Sequence, residues 1–89
     1  MQIQQSGTPV NLSSSGTVSK VAGTLLGIYV ASTTSGTVVV GDGATSAATA
    51  KTGTITPAIG YHPMNMYLPN GCYLTLANTI NVTAIFAAG

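Results

Sequence analysis

Two apolar runs rich in β-branched residues, separated by a cluster of small hydroxyl residues, constrain this chain more than any other feature. They occupy Gly23 to Val40, GTLLGIYVASTTSGTVVV. Successive side chains of an extended chain alternate between faces. Leu26, Ile28 and Val30 therefore share one face, and Leu25, Gly27 and Tyr29 the other. Ser32-Thr33-Thr34-Ser35-Gly36 is small, polar and ends in glycine, the chemistry of a hairpin loop with one residue at positive φ. Val38, Val39 and Val40 then return antiparallel to the first run. The expectation is a central β-hairpin on which the rest of the chain packs. Leu25, Tyr29 and Val39 are apolar on its second face, so that face is expected to be covered too, by a second sheet or by a neighbouring subunit.

The flanking sequence repeats the same punctuation of short apolar alternation by turn residues. Met1 to Gly16 is polar and turn-rich, with only Ile3, Val10 and Leu12 to bury. It is expected to be an extended arm (1–16) ahead of a β-sandwich domain (17–89). Pro9 to Leu12 suits a short edge strand, and two readings of the arm stand: it orders only against a neighbouring subunit, or it is a frayed terminus without a role. Thr17 to Val21 alternates as a short strand. Residues 41–53, GDGATSAATAKTG, are small and framed by glycines, without the leucine or isoleucine stripe of an amphipathic helix; they read as a mobile exposed loop. Gly53 to Thr56 is a short strand stopped by Pro57.

Tyr61 to Pro69 carries two prolines and reads as an irregular edge segment, with Met64, Met66 and Leu68 inward and Asn65 and Tyr67 outward. Asn70-Gly71 is a turn. Cys72, Leu74 and Leu76 then face in, Ala77-Asn78-Thr79 turns again, and Ile80, Val82, Ala84 and Phe86 form the inward face of a last strand. About seven short strands at this spacing predict an all-β fold, a small antiparallel β-sandwich or jelly-roll-like domain.

Composition narrows the function classes. A chain of 89 residues makes one domain with a modest core, and its single cysteine, Cys72, allows no intrachain disulfide. Oligomerisation or docking onto a larger partner is the remaining reinforcement. Only Lys20, Asp42 and Lys51 are charged, 3 % of the chain, against roughly 25 % in an ordinary domain. One reading is a surface hydrated by hydroxyls, since 22 residues are Ser or Thr. The other is a subunit packed against neighbours, where charges would cost desolvation. Two isolated lysines make no basic patch for nucleic acid, and no apolar run is long enough to span a bilayer. The amino-terminal stretch lacks the basic and apolar regions of a secretory signal, so synthesis in the cytoplasm is expected.

No cofactor and no catalysis are expected. The only candidates for proton transfer or nucleophilic attack are Asp42, His62 and Cys72. Asp42 sits in a Gly-rich turn and Cys72 on the apolar phase of a strand. Gly41-Asp42-Gly43 lacks the third glycine and the helix of a nucleotide fingerprint. The candidate site is instead an interface. Tyr and Met supply adaptable apolar area with a polar tip, and the segment 61–68 concentrates them. Tyr29, Tyr61, His62 and Tyr67, with Val10 and Leu12 of the arm, are the residues expected to meet a partner. Exposed tyrosines beside hydroxyl-rich loops also suit stacking on sugars.

The order of the motifs is itself informative. GTLLGIYV is followed by ASTTSGT, VVVGDG, TGTITPA, the aromatic-Pro segment YHP, the turn NG, CYLTLANT and NVTAIF. This succession, over about Leu25 to Phe86, resembles a family of short structural proteins of tailed bacteriophages. The resemblance implies a virion component, a capsid cement or decoration protein that binds the major capsid protein on the outer surface. It implies a homotrimer or dimer sitting where capsomers meet. A tail or fibre component, or a sugar-binding β-sandwich module contacting the host surface, is the alternative.

Overall fold

The computed structural model describes residues 7–88, and the first six residues of the expected arm lie outside them. Six strands form one antiparallel sheet: β1 (Thr8–Leu12), β2 (Gly16–Ser19), β3 (Gly23–Asp42), β4 (Thr49–Ala50), β5 (Gly60–Leu68) and β6 (Cys72–Ala88). The all-β antiparallel expectation holds, with fewer strands than the roughly eight of a jelly roll. Two of the six are very long, and they organise everything else. β3 pairs with β6 along its whole length, from Gly23 opposite Ala88 to Asp42 opposite Cys72.

A straight 20-residue strand would span ~66 Å at ~3.3 Å per residue. The longest dimension of the molecule is 43 Å. The β3–β6 ribbon is therefore folded over, and its bend is written into the register. The pairing slips between Leu25 and Gly27, between Val30 and Ser32, and between Thr34 and Thr37. Each slip places one unmatched residue on β3, which is why β3 is three residues longer than the 17-residue β6. Bulges on one strand of a pair bend and twist it, and a strand that crosses between layers turns its corner in this way.

The corner lies where a hairpin loop was expected. Ser35 and Asn78, facing each other across the ribbon, both hold positive φ (53° and 62°), and Asn78 Nδ2 donates to the Ser35 carbonyl at 2.8 Å. The Gly36 amide donates to Thr33 Oγ1 at 3.0 Å. A Cβ on Gly36 would lie 2.4 Å from Ile80 Cβ and 2.8 Å from the Thr79 carbonyl, so only glycine fits the inside of the bend. The chain does not reverse at Ser32–Gly36, nor at Ala77–Thr79. Both turn signals are used together, as the two sides of one corner.

Folding the ribbon makes two layers. In the first, β1 pairs with Val82–Phe86 of β6, and β5 pairs with Gly23–Val30 of β3. In the second, β2 pairs with Cys72–Leu74 of β6, while β4 and an isolated bridge from Ile55 to Val38 flank the other end of β3. Leu25, Ile28, Val30, Val82, Ala84 and Phe86 of the first layer join Val38, Val40, Cys72 and Leu74 of the second in one buried cluster. The alternation expected for 72–76 and 80–86 holds. In β3 the bulge at Leu26 changes the phase, so Leu25 is buried with Ile28 and Val30 and Leu26 is only half-buried. The expected face assignment at that point is corrected.

Two segments are more tightly held than their composition implied. Thr8–Leu12 is a strand of the chain's own sheet, and Leu12 packs against the core. The 43–52 segment is pinned by several bonds: the Ala48 amide to the Thr45 carbonyl (2.9 Å), Thr17 Oγ1 to the Ala44 carbonyl (2.7 Å), and the Lys51 amide to the Val40 carbonyl (2.8 Å). Asp42, read as a turn residue, is buried and ties β3 to the β5–β6 turn. Its carboxylate accepts from the Asn70 amide at 2.9 Å and from Asn70 Nδ2 at 3.1 Å.

Candidate interface on the outer face of the first layer

Cross-strand neighbours of an antiparallel sheet share a face, so the register states what the first layer shows to the outside. One row runs Asn11–Thr83–Tyr29–Tyr61 across β1, β6, β3 and β5. The next runs Pro9–Ile85–Gly27–Pro63, and beyond it Ala87, Thr24 and Tyr67 stand side by side. Tyr29, Tyr61 and Tyr67 are 48 %, 51 % and 60 % exposed, and Ile59, just before β5, is 65 % exposed. These are four of the five large apolar side chains left open among the described residues. The fifth, Val21, stands in the β2–β3 connection.

The seat of Tyr61 is built by a missing side chain. A Cβ on Gly27 would lie 2.4 Å from the Tyr61 hydroxyl and 2.7 Å from its Cζ. The ring thus lies down across Gly27, burying that glycine, and its hydroxyl donates to the Leu26 carbonyl at 3.5 Å. A bulge in β5, with Asn65 at φ 50°, separates the Tyr61 end from the Tyr67 end and keeps both tyrosines outward. At the opposite end of the row the groups are polar and bonded among themselves. Asn11 Nδ2 donates to Asn81 Oδ1 at 2.9 Å and to Thr83 Oγ1 at 3.0 Å. No charged residue stands on this face: Lys20, Asp42 and Lys51 belong to the strands of the second layer or the loops that leave them.

The expected interface residues divide into two sets. Tyr29, Tyr61 and Tyr67 come together on the outer face. His62 pairs with buried Ile28 on the inward side of β5, and its Nε2–H donates to the Ala58 carbonyl at 2.7 Å. Val10 and Leu12 also turn inward, opposite Ala84 and Val82. Leu26, Pro9, Pro63 and Ile85 complete the outer face and were missed. Leu26 is placed by a bulge, and Pro9 and Ile85 by a pairing between the two ends of the described chain, neither of which has a local signal.

The three groups with chemical potential are otherwise engaged. Asp42 and Cys72 do meet, as register partners at one end of the ribbon, while His62 lies on β5 against the other half of β3. Burial, with the neighbouring Asp42 carboxylate second, pushes the Cys72 thiol up to about 12, so it is held protonated. Among the described residues no three His, Cys, Asp or Glu side chains cluster, no cavity is enclosed, and no helix is long and apolar enough to cross a membrane. No family model, no curated relative and no solved structure matches the chain.

Proposed function

We propose that this protein is a structural subunit of a tailed-phage virion, a cement or decoration protein that binds the major capsid protein on the capsid exterior and bridges neighbouring capsomers. The observation that carries the reading is the outer face of the first layer, which shows no charged side chain among the described residues and holds three half-exposed tyrosines on one sheet. Tyrosine-rich, charge-depleted patches are the usual composition of interface cores. The succession of motifs from Leu25 to Phe86 supplies the phage context. A role in assembly also fits the state of the reactive groups, with Asp42 committed to Asn70 and Cys72 held as a buried thiol. In this reading the protein is made in the host cytoplasm, needs no cofactor and is not an enzyme. It stabilises the shell because it binds only the assembled state.

The test is to add the purified protein to particles that lack it. Saturation at hundreds of copies per particle, with added resistance to heat, is the expected result, and low-resolution images should show density over capsomer junctions. Few copies confined to one vertex or to the tail would overturn it. The tyrosine row ending in Asn11 and Thr83 also favours a second reading, a neutral sugar stacked on the rings, which a glycan array tests with the isolated protein.

A further inference from the structure

Among the described residues, the second layer has a segment over its outer face and the first has none. Over the second layer the 43–48 segment lies across the sheet: a Cβ on Gly41 would meet Ala48 Cβ at 2.9 Å, and Thr17, opposite Tyr73, donates to the Ala44 carbonyl. Nothing in the described chain crosses the row Asn11–Thr83–Tyr29–Tyr61. We infer that the occupant of this face is a second copy of the same chain, docked sheet to sheet about a two-fold axis through the middle of the row. The inference rests on reading this face as the assembly surface and names its partner.

Three observations select a second copy. The first is charge. A two-fold axis sets each charge on a face near its own copy, at like sign, which is the usual obstacle to self-docking. Among the described residues this face carries no charged side chain, so no such repulsion arises there. The second is the order of groups along the row. It is polar at the β1 end and aromatic at the β5 end, so a copy turned by the two-fold brings its Asn11 and Thr83 over the Tyr61 and Tyr29 of the other. The Tyr29 phenol that burial would strip of water then finds the Thr83 hydroxyl as a partner, while that of Tyr61 keeps the Leu26 carbonyl. The third is size. Four strands ~4.8 Å apart and about seven residues long give a footprint on the order of 450 Å² before side-chain relief is added. That brings the accessible area close to the roughly 600 Å² per partner at the small end of specific interfaces. Packed as aligned sheets, the two copies would stand ~10 Å apart.

The test is the molar mass of the purified protein by sedimentation or light scattering from micromolar to millimolar concentration. The expected result is a shift from 8.8 kDa toward twice that value. Tyr29→Lys places two like charges over the axis and should weaken association by about 30-fold or more, while Thr75→Lys on the second layer leaves it unchanged. Circular dichroism confirms that each variant is folded. Should Tyr29→Lys fail to fold, the wild-type chain answers alone: a soluble paramagnetic probe should broaden the Tyr29 and Tyr61 ring signals less as concentration rises. A monomer at every concentration, a trimer, or a dimer indifferent to Tyr29→Lys would overturn the inference. So would capture of a neutral glycan by a strictly monomeric protein. A dimer that never binds particles sinks the cement proposal and leaves this one standing; a monomer that decorates particles does the reverse.

Discussion

The two layers are halves of the same pair of strands, and they solve the problem of their outer faces in opposite ways. In the second layer β3 presents Thr37, Val39 and Gly41, and the chain lays its own small-residue segment, Ala44 to Ala48, on top. In the first, β3 presents Thr24, Leu26 and Tyr29, and β5 adds Tyr61 and Tyr67, with no covering segment among the described residues. Glycine serves both arrangements. Gly41 admits Ala48, and Gly27 admits a tyrosine ring. The lesson is that a chain with almost no charge keeps one face closed by itself and leaves the other for something else. The inner faces show no such difference, since both contribute to one core.

That shared core gives the largest effects. Leu25→Ala in the first layer and Leu74→Ala in the second should each cost about 2–5 kcal/mol, and each should lower one common thermal transition. Two separated transitions in either variant would mean that the layers are independent. Gly36→Ala strikes the corner that joins them. Its Cβ would press on Ile80 and on the Thr79 backbone, so a loss of about 1–3 kcal/mol is expected, read from chemical denaturation. If the loss is absent, the inside of the bend is looser than its contacts state.

Alkali should act through Cys72 in the second layer and lower the common transition. The folded Cys72 thiol holds its proton to about 12, whereas the unfolded one releases it near 9, so the unfolded chain is favoured as pH rises through that window. Stability should be full below pH 9 and then fall by at most about 1.4 kcal/mol per pH unit. Cys72→Ala should remove this slope, and a slope that survives would assign the effect elsewhere. The smallest effect distinguishes the surfaces. With so few charges to screen, moderate salt should leave both the melting temperature and any association through the tyrosine face unchanged. A salt-sensitive association would move the contact to the side that bears Lys20 and Lys51.

Much of the inner face was legible because it depends only on period two. Cys72 and Leu74, Ile80 to Phe86, and Met64 to Leu68 alternate in the sequence as they do in the sheet. The corner was not legible, for a physical reason. Ser35-Gly36 and Asn78 offer positive φ and small side chains, which serve a reversal and a bulge equally well. What decides between them is the partner across the ladder, and Thr34 finds its partner at Thr79, far along the chain. The same limit applies to β1, a short Pro-containing run that becomes a strand only beside Val82–Phe86. Of the candidate face, the tyrosines themselves could be named. Their gathering on one side, and the inward turn of His62, Val10 and Leu12, followed from bulges and long-range pairing.

The folded ribbon also sets an order of events. Closing a chain loop costs more entropy as the loop lengthens, by about 0.6 kcal/mol per doubling. The β3–β6 ladder joins residues 42 and 72 at one end and residues 23 and 88 at the other, a separation more than twice as long. The inexpensive end is the Asp42–Cys72 end, where the Asn70 clamp already holds the strands in register. Pairing should therefore start in the second layer and close like a zip past the corner into the first. Variants near Val40 and Leu74 should slow refolding, while those near Leu25 and Phe86 should mainly speed unfolding, a division that stopped-flow measurements would resolve. On this route the tyrosine face is the last part of the molecule to exist, and a half-zipped chain has nothing with which to recruit a partner.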